Sequence, residues 1–194
     1  TDNSERMRLD GDGRLLLGQT SADTDLGGYL QIAGNSYTES STLQARLTAD
    51  AHPPAIDLLK SRNTTWGSHT IVQDDDRLGA IYFRADDGVN YAATGAVIFG
   101  EVDGTPGADD MPGRLTFHTS ADGSDSPTER LRIKQDGQVL IGTTDGTTMG
   151  SPDKNLVVGS TTNNEEVALT LNVMEGTNNR RTKFFLDDDD GVYG

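Results

Sequence analysis

The chain has no cysteine, so neither disulfide bonds nor thiolate metal sites can hold it together. Large apolar side chains are also scarce: Leu, Ile, Val and Phe make up 40 of 194 residues. Aromatic residues are 6% of the chain, with a single Trp. No apolar run approaches the roughly 20 residues that a membrane-spanning helix requires. The opening stretch TDNSERMRLD is polar throughout and lacks the apolar segment of a signal peptide. Basic residues are few as well, 16 Lys and Arg against 31 Asp and Glu, for a formal charge of -15. Such a chain repels phosphates, which argues against nucleic acid as a partner and against a polybasic membrane anchor. Composition this lean, with this much charge, lies close to that of disordered chains.

What is present is order of a particular kind. Gly is abundant, at 23 residues, and eight Asp-Gly pairs begin at Asp10, Asp12, Asp87, Asp103, Asp122, Asp136, Asp145 and Asp190. Asp bonds its own main chain and Gly reaches positive φ without cost, so such pairs between alternating apolar residues mark hairpin turns. The alternation is there. Ile81, Phe83 and Ala85 alternate with Tyr82 and Arg84. Ala96, Ile98, Gly100 and Val102 alternate with Val97, Phe99 and Glu101. Leu115 and Phe117 oppose Arg114, Thr116 and His118, and Leu131 and Ile133 oppose Arg130, Arg132 and Lys134. Val139 and Ile141 share a side. Period two with one apolar face predicts half-buried strands, and short turns between them predict an antiparallel meander. The one stretch with helical features, STLQARLTADAHPPAIDLL, is broken by Pro53 and Pro54 and reads as mostly strand. The expected fold class is all-β: an elongated array of short antiparallel strands and β-meander modules. A chain too poor in core residues to fold alone can bury a core shared between copies, so an oligomer is expected.

The chain also repeats itself. SERMRLDGDGRLLLGQT begins at Ser4, and TERLRIKQDGQVLIGTT begins at Thr128. They share Glu5 with Glu129, Arg6 with Arg130, Arg8 with Arg132, Asp12 with Asp136, Gly13 with Gly137 and Gly18 with Gly142. Apolar positions match in kind, including Leu15 with Val139 and Leu17 with Ile141. GGYLQIAGN and DKNLVVGST follow the two copies, placing Leu30 and Ile32 opposite Leu156 and Val158. Repetition of one small unit along a line predicts an elongated array. The expected modules are a first shaft repeat at 1–27, a β-rich connecting module at 28–77, a β-meander insert at 78–127, a second shaft repeat at 128–150, and the truncated start of a further module at 151–194. In three chains around an axis, each unit would bury Leu17 or Ile141 at the centre, while Gly18 and Gly142 let backbones approach closely.

These two copies, together with DGTPG at Asp103–Gly107 and DMPGRLTF at Asp110–Phe117, resemble a repeat of phage tail fibres and related fibre proteins. The resemblance covers Leu78 to Thr144 and Ser4 to Thr20. It implies a homotrimeric, β-rich shaft on a virion, hence an extracellular structural role supporting host attachment, with adjacent fibre or tail proteins and host surface glycan as partners. Fibres of this kind often end in an intramolecular chaperone that cleaves itself off, and that region is not evident in this segment. The alternative is a receptor- or glycan-binding adhesin module, with loops at Asn63–His69 or Thr143–Pro152 touching the host. A glycan-hydrolysing tailspike segment comes last.

Candidate chemistry is thin. Asp74–Asp76, Asp109 with Asp110, and Asp187–Asp190 are clusters of the kind Ca²⁺ prefers, and DGDG at Asp10 echoes a calcium loop without its closing Glu. Solvated turns are the expected reading of all of them. His52, His69 and His118 lack zinc-site spacing, and His118 is expected on a solvated strand face. Trp66 is expected to cover a small core. No G-x-S-x-G elbow or phosphate loop is present. Glycan cleavage needs a converged pair of acids, which sequence cannot select among 31, and no acid stands in an aromatic-rich stretch suited to sugar stacking. The expectation is therefore a protein that is not an enzyme, with no catalytic, metal or cofactor-binding residues.

Overall fold

A computed structural model of the chain describes residues 5–144 and 156–158. The Asp145 and Asp190 turns, the Asp187–Asp190 cluster, the loop beyond Thr144 and most of 151–194 lie outside the described residues. Within them the strands are β1 (Met7–Leu9), β2 (Leu15–Leu17), β3 (Leu30–Ile32), β4 (Arg77–Ala85), β5 (Ala93–Val102), β6 (Gly113–Thr119), β7 (Thr128–Ile133), β8 (Val139–Ile141) and β9 (Leu156–Val158). One short helix, α1 (Tyr37–Ser40), follows β3. The fold is all-β, as the alternation predicts.

β1–β2–β3 form one sheet, and β4 to β9 form a second in strict sequence order. The pairs are antiparallel except β2 with β3 and β8 with β9, which are parallel. A pure meander was expected, so these parallel third strands are a departure. In the first sheet the cause lies in the loop after the hairpin, and the glycine that ends each hairpin is alike. Gly18 and Gly142 take φ of 76° and 72°, and their amides donate to the carbonyls of Arg6 and Arg130 at 3.0 and 2.9 Å. Past Gly18 the chain loops back along β2, and the Ala33 amide donates to the Leu17 carbonyl at 2.9 Å.

The two hairpins have matching registers. Met7 faces Leu17 and Leu9 faces Leu15 in the first, while Leu131 faces Ile141 and Ile133 faces Val139 in the second. Both turns close with a left-handed glycine, Gly13 at 80° and Gly137 at 83°. In the first turn Asp10 Oδ1 accepts from the amides of Asp12 and Arg14 at 3.0 and 2.9 Å. In the second, where Lys134 stands in place of Asp10, Asp136 Oδ1 accepts from the Gln138 amide at 3.0 Å. Glu5 grips Arg8 through both carboxylate oxygens, and Glu129 grips Arg132 in the same way.

Burial runs against the expected sense of the faces. Thr116 is fully buried and Val97 and Phe99 nearly so, whereas Leu115 is exposed. On that covered side the Arg77 guanidinium lies 4.0 Å from the centre of the Phe99 ring, and Arg84 lies 4.3 Å from that of Tyr82. Tyr82 and His118 meet Phe99 edge-on, at 5.8 and 5.2 Å between ring centres. Long arginine stems and edge-on rings thus roof the face that carries the polar residues. His118 is half-buried there, not solvated.

One further expectation gives way. Between β3 and β4 the chain holds α1 as its one regular element. STLQARLTADAHPPAIDLL forms neither helix nor strand, because Pro53 and Pro54 stop a helix and no strand among the described residues pairs with it. β6 and β7 pair in one continuous sheet.

Candidate functional site

The largest unexplained surface is apolar. Directly opposed residues of paired strands share a face, so Met7, Leu9, Leu15, Leu17, Leu30 and Ile32 stand together on one side of the first sheet. Arg8, Leu16 and Gln31 take the other side. The second sheet has the same character. Ile81, Phe83, Ile98, Leu115, Phe117, Leu131, Ile133, Val139 and Ile141 share one face, joined at its edge by Leu156. Across these two faces Met7, Leu9, Leu30, Ile81, Phe83, Leu115, Ile133, Ile141 and Leu156 are between 38% and 72% exposed. Isolated apolar residues on a surface are ordinary, but contiguous patches of this kind mark interaction sites. Leu17 is half-buried and Ile141 is 39% exposed, so neither is enclosed by its own chain. The enclosed residues of the two hairpins are instead Leu16 and Leu140.

The acidic cluster at Asp74–Asp76 is drawn apart by separate partners. Asp74 Oδ1 accepts from the Gly104 amide at 2.7 Å. Asp75, at a left-handed φ of 66°, accepts from Arg114 at 2.6 Å. Asp76 is held by Arg62 through both oxygens, at 2.6 and 2.7 Å, and also accepts from the Gln73 amide. The Arg62 hydrogen bonds, and then that amide, hold the Asp76 carboxyl down to about 2. Arg114 is the hub of the region, bonding Glu101 and Asp103 at 3.1 Å each in addition to Asp75. Burial pushes its pKa down, but the hydrogen bonds to Asp75, Asp103 and Glu101 outweigh this and raise it. Asp103 is opposed by burial too, yet the Gln135 amide and Arg114 keep it below its ordinary value. Thr116 donates to Glu101 at 3.2 Å, completing the knot between β5 and β6. These carboxylates fasten the sheet. Asp109 and Asp110 sit in a tight bridge closed between Gly107 and Asp110. Among the described residues no three acidic or His side chains are grouped to hold a metal ion.

Sequence reasoning missed the Arg114 hub. A signal was available: Glu101 falls on the same side of β5 as Val97 and Phe99, and an acid on an apolar side needs a buried partner. The histidines are dispersed over the extended segment (His52), the Trp66 turn (His69) and β6 (His118). Trp66 covers no core in its own chain, since it is 95% exposed. It stands over a shallow groove of about 520 Å³ lined by Leu59, Asn63, Ser68 and His69 among others. Asn63 organises this turn, accepting from the Thr65 amide at 2.9 Å and donating to the Thr70 hydroxyl at 3.0 Å.

No protein-family model matches the chain, and no curated protein matches it by sequence. Among solved structures it is similar to the carboxy-terminal domain of the bacteriophage T5 L-shaped tail fibre, with TM-score 0.54 and 18% identity, over 87% of this chain and 68% of that one. It is equally similar to the same domain with its intramolecular chaperone domain, with TM-score 0.54 and 17% identity, over 89% of this chain and 50% of that one. The chain therefore spans half the length of the longer of the two. At these identities the likeness is one of architecture: this chain has an all-β fold like that of the carboxy-terminal domain of a phage tail fibre.

Proposed function

We propose that this chain is a length of phage tail-fibre shaft, in which three identical copies turn their apolar sheet faces toward a common axis. The role is structural, on the outside of a virion, and supports attachment to the host rather than catalysis. The observation that carries the reading is the apolar face running over β4 to β8 while the opposite, arginine-roofed side is the covered one. A chain of charge -15 remains soluble with such a face only if the face is hidden, and burying it returns about 25 cal/mol per Å². A closed rotational arrangement hides the same face on every copy and leaves the charge outside. Adjacent fibre or tail proteins would meet the two ends.

Light scattering during size-exclusion chromatography tests this. The expected mass is three times the 20.7 kDa of one chain. A monomer at micromolar concentration would overturn the reading. Incubation of the assembly with host polysaccharide is expected to release no reducing ends.

One observation favours a second reading, a receptor- or glycan-binding module. Trp66 presents its ring beside Asn63, Ser68 and His69, the mixture of flat apolar surface and hydrogen-bonding groups that a sugar ring needs. Because Trp66 is the only Trp, its fluorescence reports on that site alone. Titration with host glycan that leaves the emission unchanged would dismiss this reading.

A further inference from the structure

From Thr42 to Ser61 the chain lies in neither helix nor strand, bends at 49–51, and among the described residues its main chain bonds no other main-chain group. Its large apolar side chains point away from the chain that carries them: Leu43 is 88% exposed, Leu47 96%, Ile56 76% and Leu59 80%. Pro53 and Pro54 keep the backbone drawn out. The end of this arm touches its own sheet, where Leu58 lies so close over Gly79 that any β-carbon there would strike it. At that point Ile56 and Leu58 line an apolar groove together with Ile81, Ile98 and Leu115. The arm therefore runs directly out of the apolar sheet face and continues it.

Charge identifies what covers the arm. Between Ser41 and Lys60 the charged residues are Arg46, Asp50, Asp57 and Lys60, so the segment is neutral in a chain of -15. Arg46 and Asp50 already pair with each other. Copies of so acidic a chain repel over most of their surface, and a neutral apolar stretch is where one copy can approach another at least electrostatic cost. Main-chain groups of a segment that pairs with no strand among the described residues are also ready to bond a second chain.

We propose that the arm of each copy crosses to a second copy of the chain and lies on that copy's apolar sheet face, with Leu43 and Leu47 as its anchors. This rests on the shaft reading and adds that the copies are tied by exchanged arms as well as by facing sheets. The exchange is reciprocal, since each copy lends an arm and receives one.

The absence of cysteine makes a clean test. A Leu47→Cys chain carrying a benzophenone maleimide is irradiated as the assembled protein, and its mass is measured in parallel by light scattering. Leu47 is 96% exposed, so the label leaves the subunit fold alone. The expected result is a trimer that yields covalently joined chains on a denaturing gel, with peptide mapping placing the link on residues of β4 to β8. A trimer giving only single chains would overturn the arm exchange and leave the shaft reading standing. A monomer would overturn both. As a second measure, Leu43→Asp combined with Leu47→Asp is expected to abolish assembly, whereas Thr48→Asp on the same arm leaves it intact. Assembly of the double variant at the wild-type level would count against the proposal independently of labelling.

Discussion

Leu16 and Leu140 occupy the same place in two hairpins far apart in the chain, each the middle residue of its strand, facing Arg8 and Arg132 respectively, and each fully buried. Their neighbours on either side, Leu15 and Leu17, Val139 and Ile141, face the other way. Truncating the enclosed leucine should therefore act within one subunit. Leu16→Ala and Leu140→Ala are each expected to cost about 2–5 kcal/mol, read as a lowered midpoint in urea denaturation.

Ile141→Asp separates subunit stability from assembly. At 39% exposure the new carboxylate can be hydrated in a free subunit, so circular dichroism should keep its β signature. In the proposed trimer it would place three unpaired charges against apolar neighbours, at several kcal/mol each. Sedimentation is expected to show loss of the trimer, and normal assembly would mean that Ile141 does not face another copy.

Gly18→Ala strikes the parallel third strand. Its left-handed φ of 76° already disfavours alanine by roughly 1–2 kcal/mol, and the added β-carbon would run into the Ala33 carbonyl just after β3. Faster hydrogen exchange at the Ala33 amide, which bonds Leu17, is the expected readout, with the β1–β2 hairpin amides less affected.

Acid sensitivity should concentrate in one window. The Asp76 carboxyl is depressed from 3.8 to about 2, so its contribution is complete above pH 4 and is lost as pH falls from there through 2. Asp10, held by the Arg14 amide and guanidinium, and Asp103 are depressed in the same sense and add to the loss. Asp76→Asn is expected to flatten the dependence of the unfolding midpoint on pH between 4 and 2, with little change of slope near neutrality.

Arg114→Met removes the common partner of Glu101, Asp103 and Asp75. With Glu101 buried, stranding these charges should cost about 3–5 kcal/mol. Arg114→Lys keeps the charge but cannot reach three carboxylates from a planar fork, so it should fall between wild type and Arg114→Met. Thermal unfolding of the three proteins in parallel measures this.

Much of this architecture could be read from residue order. Alternation located β4 to β8 within a few residues, and Asp-Gly turns located the hairpins, because both signals are local. The sense of the faces was not legible. Val97 and Phe99 make β5 apolar on both sides, and Arg77 and Arg84, with the edge-on rings of Tyr82 and His118, close one of them in a single chain. The acidic triplet looked like a solvated turn or a cation site because its partners, Arg62 and Arg114, are distant in sequence. The arm from Ser41 onward reads as strand because its residues suit one, but a strand needs a neighbour and the described residues supply none. Repetition aligns Leu30 and Ile32 with Leu156 and Val158, while the parallel direction of Leu30–Ile32 follows from the loop after Gly18 and leaves no mark in the alternation.

The guanidinium groups of Arg77 and Arg84 lie over the Phe99 and Tyr82 rings on the side turned away from the apolar face. Each ring is thereby lidded by a cation that stays wetted. A particle drifting against this flank would meet ionic groups and bound solvent rather than bare grease. In the proposed shaft, neighbouring threads would slide past one another on this flank instead of clumping, with the stickiness kept to the inward side.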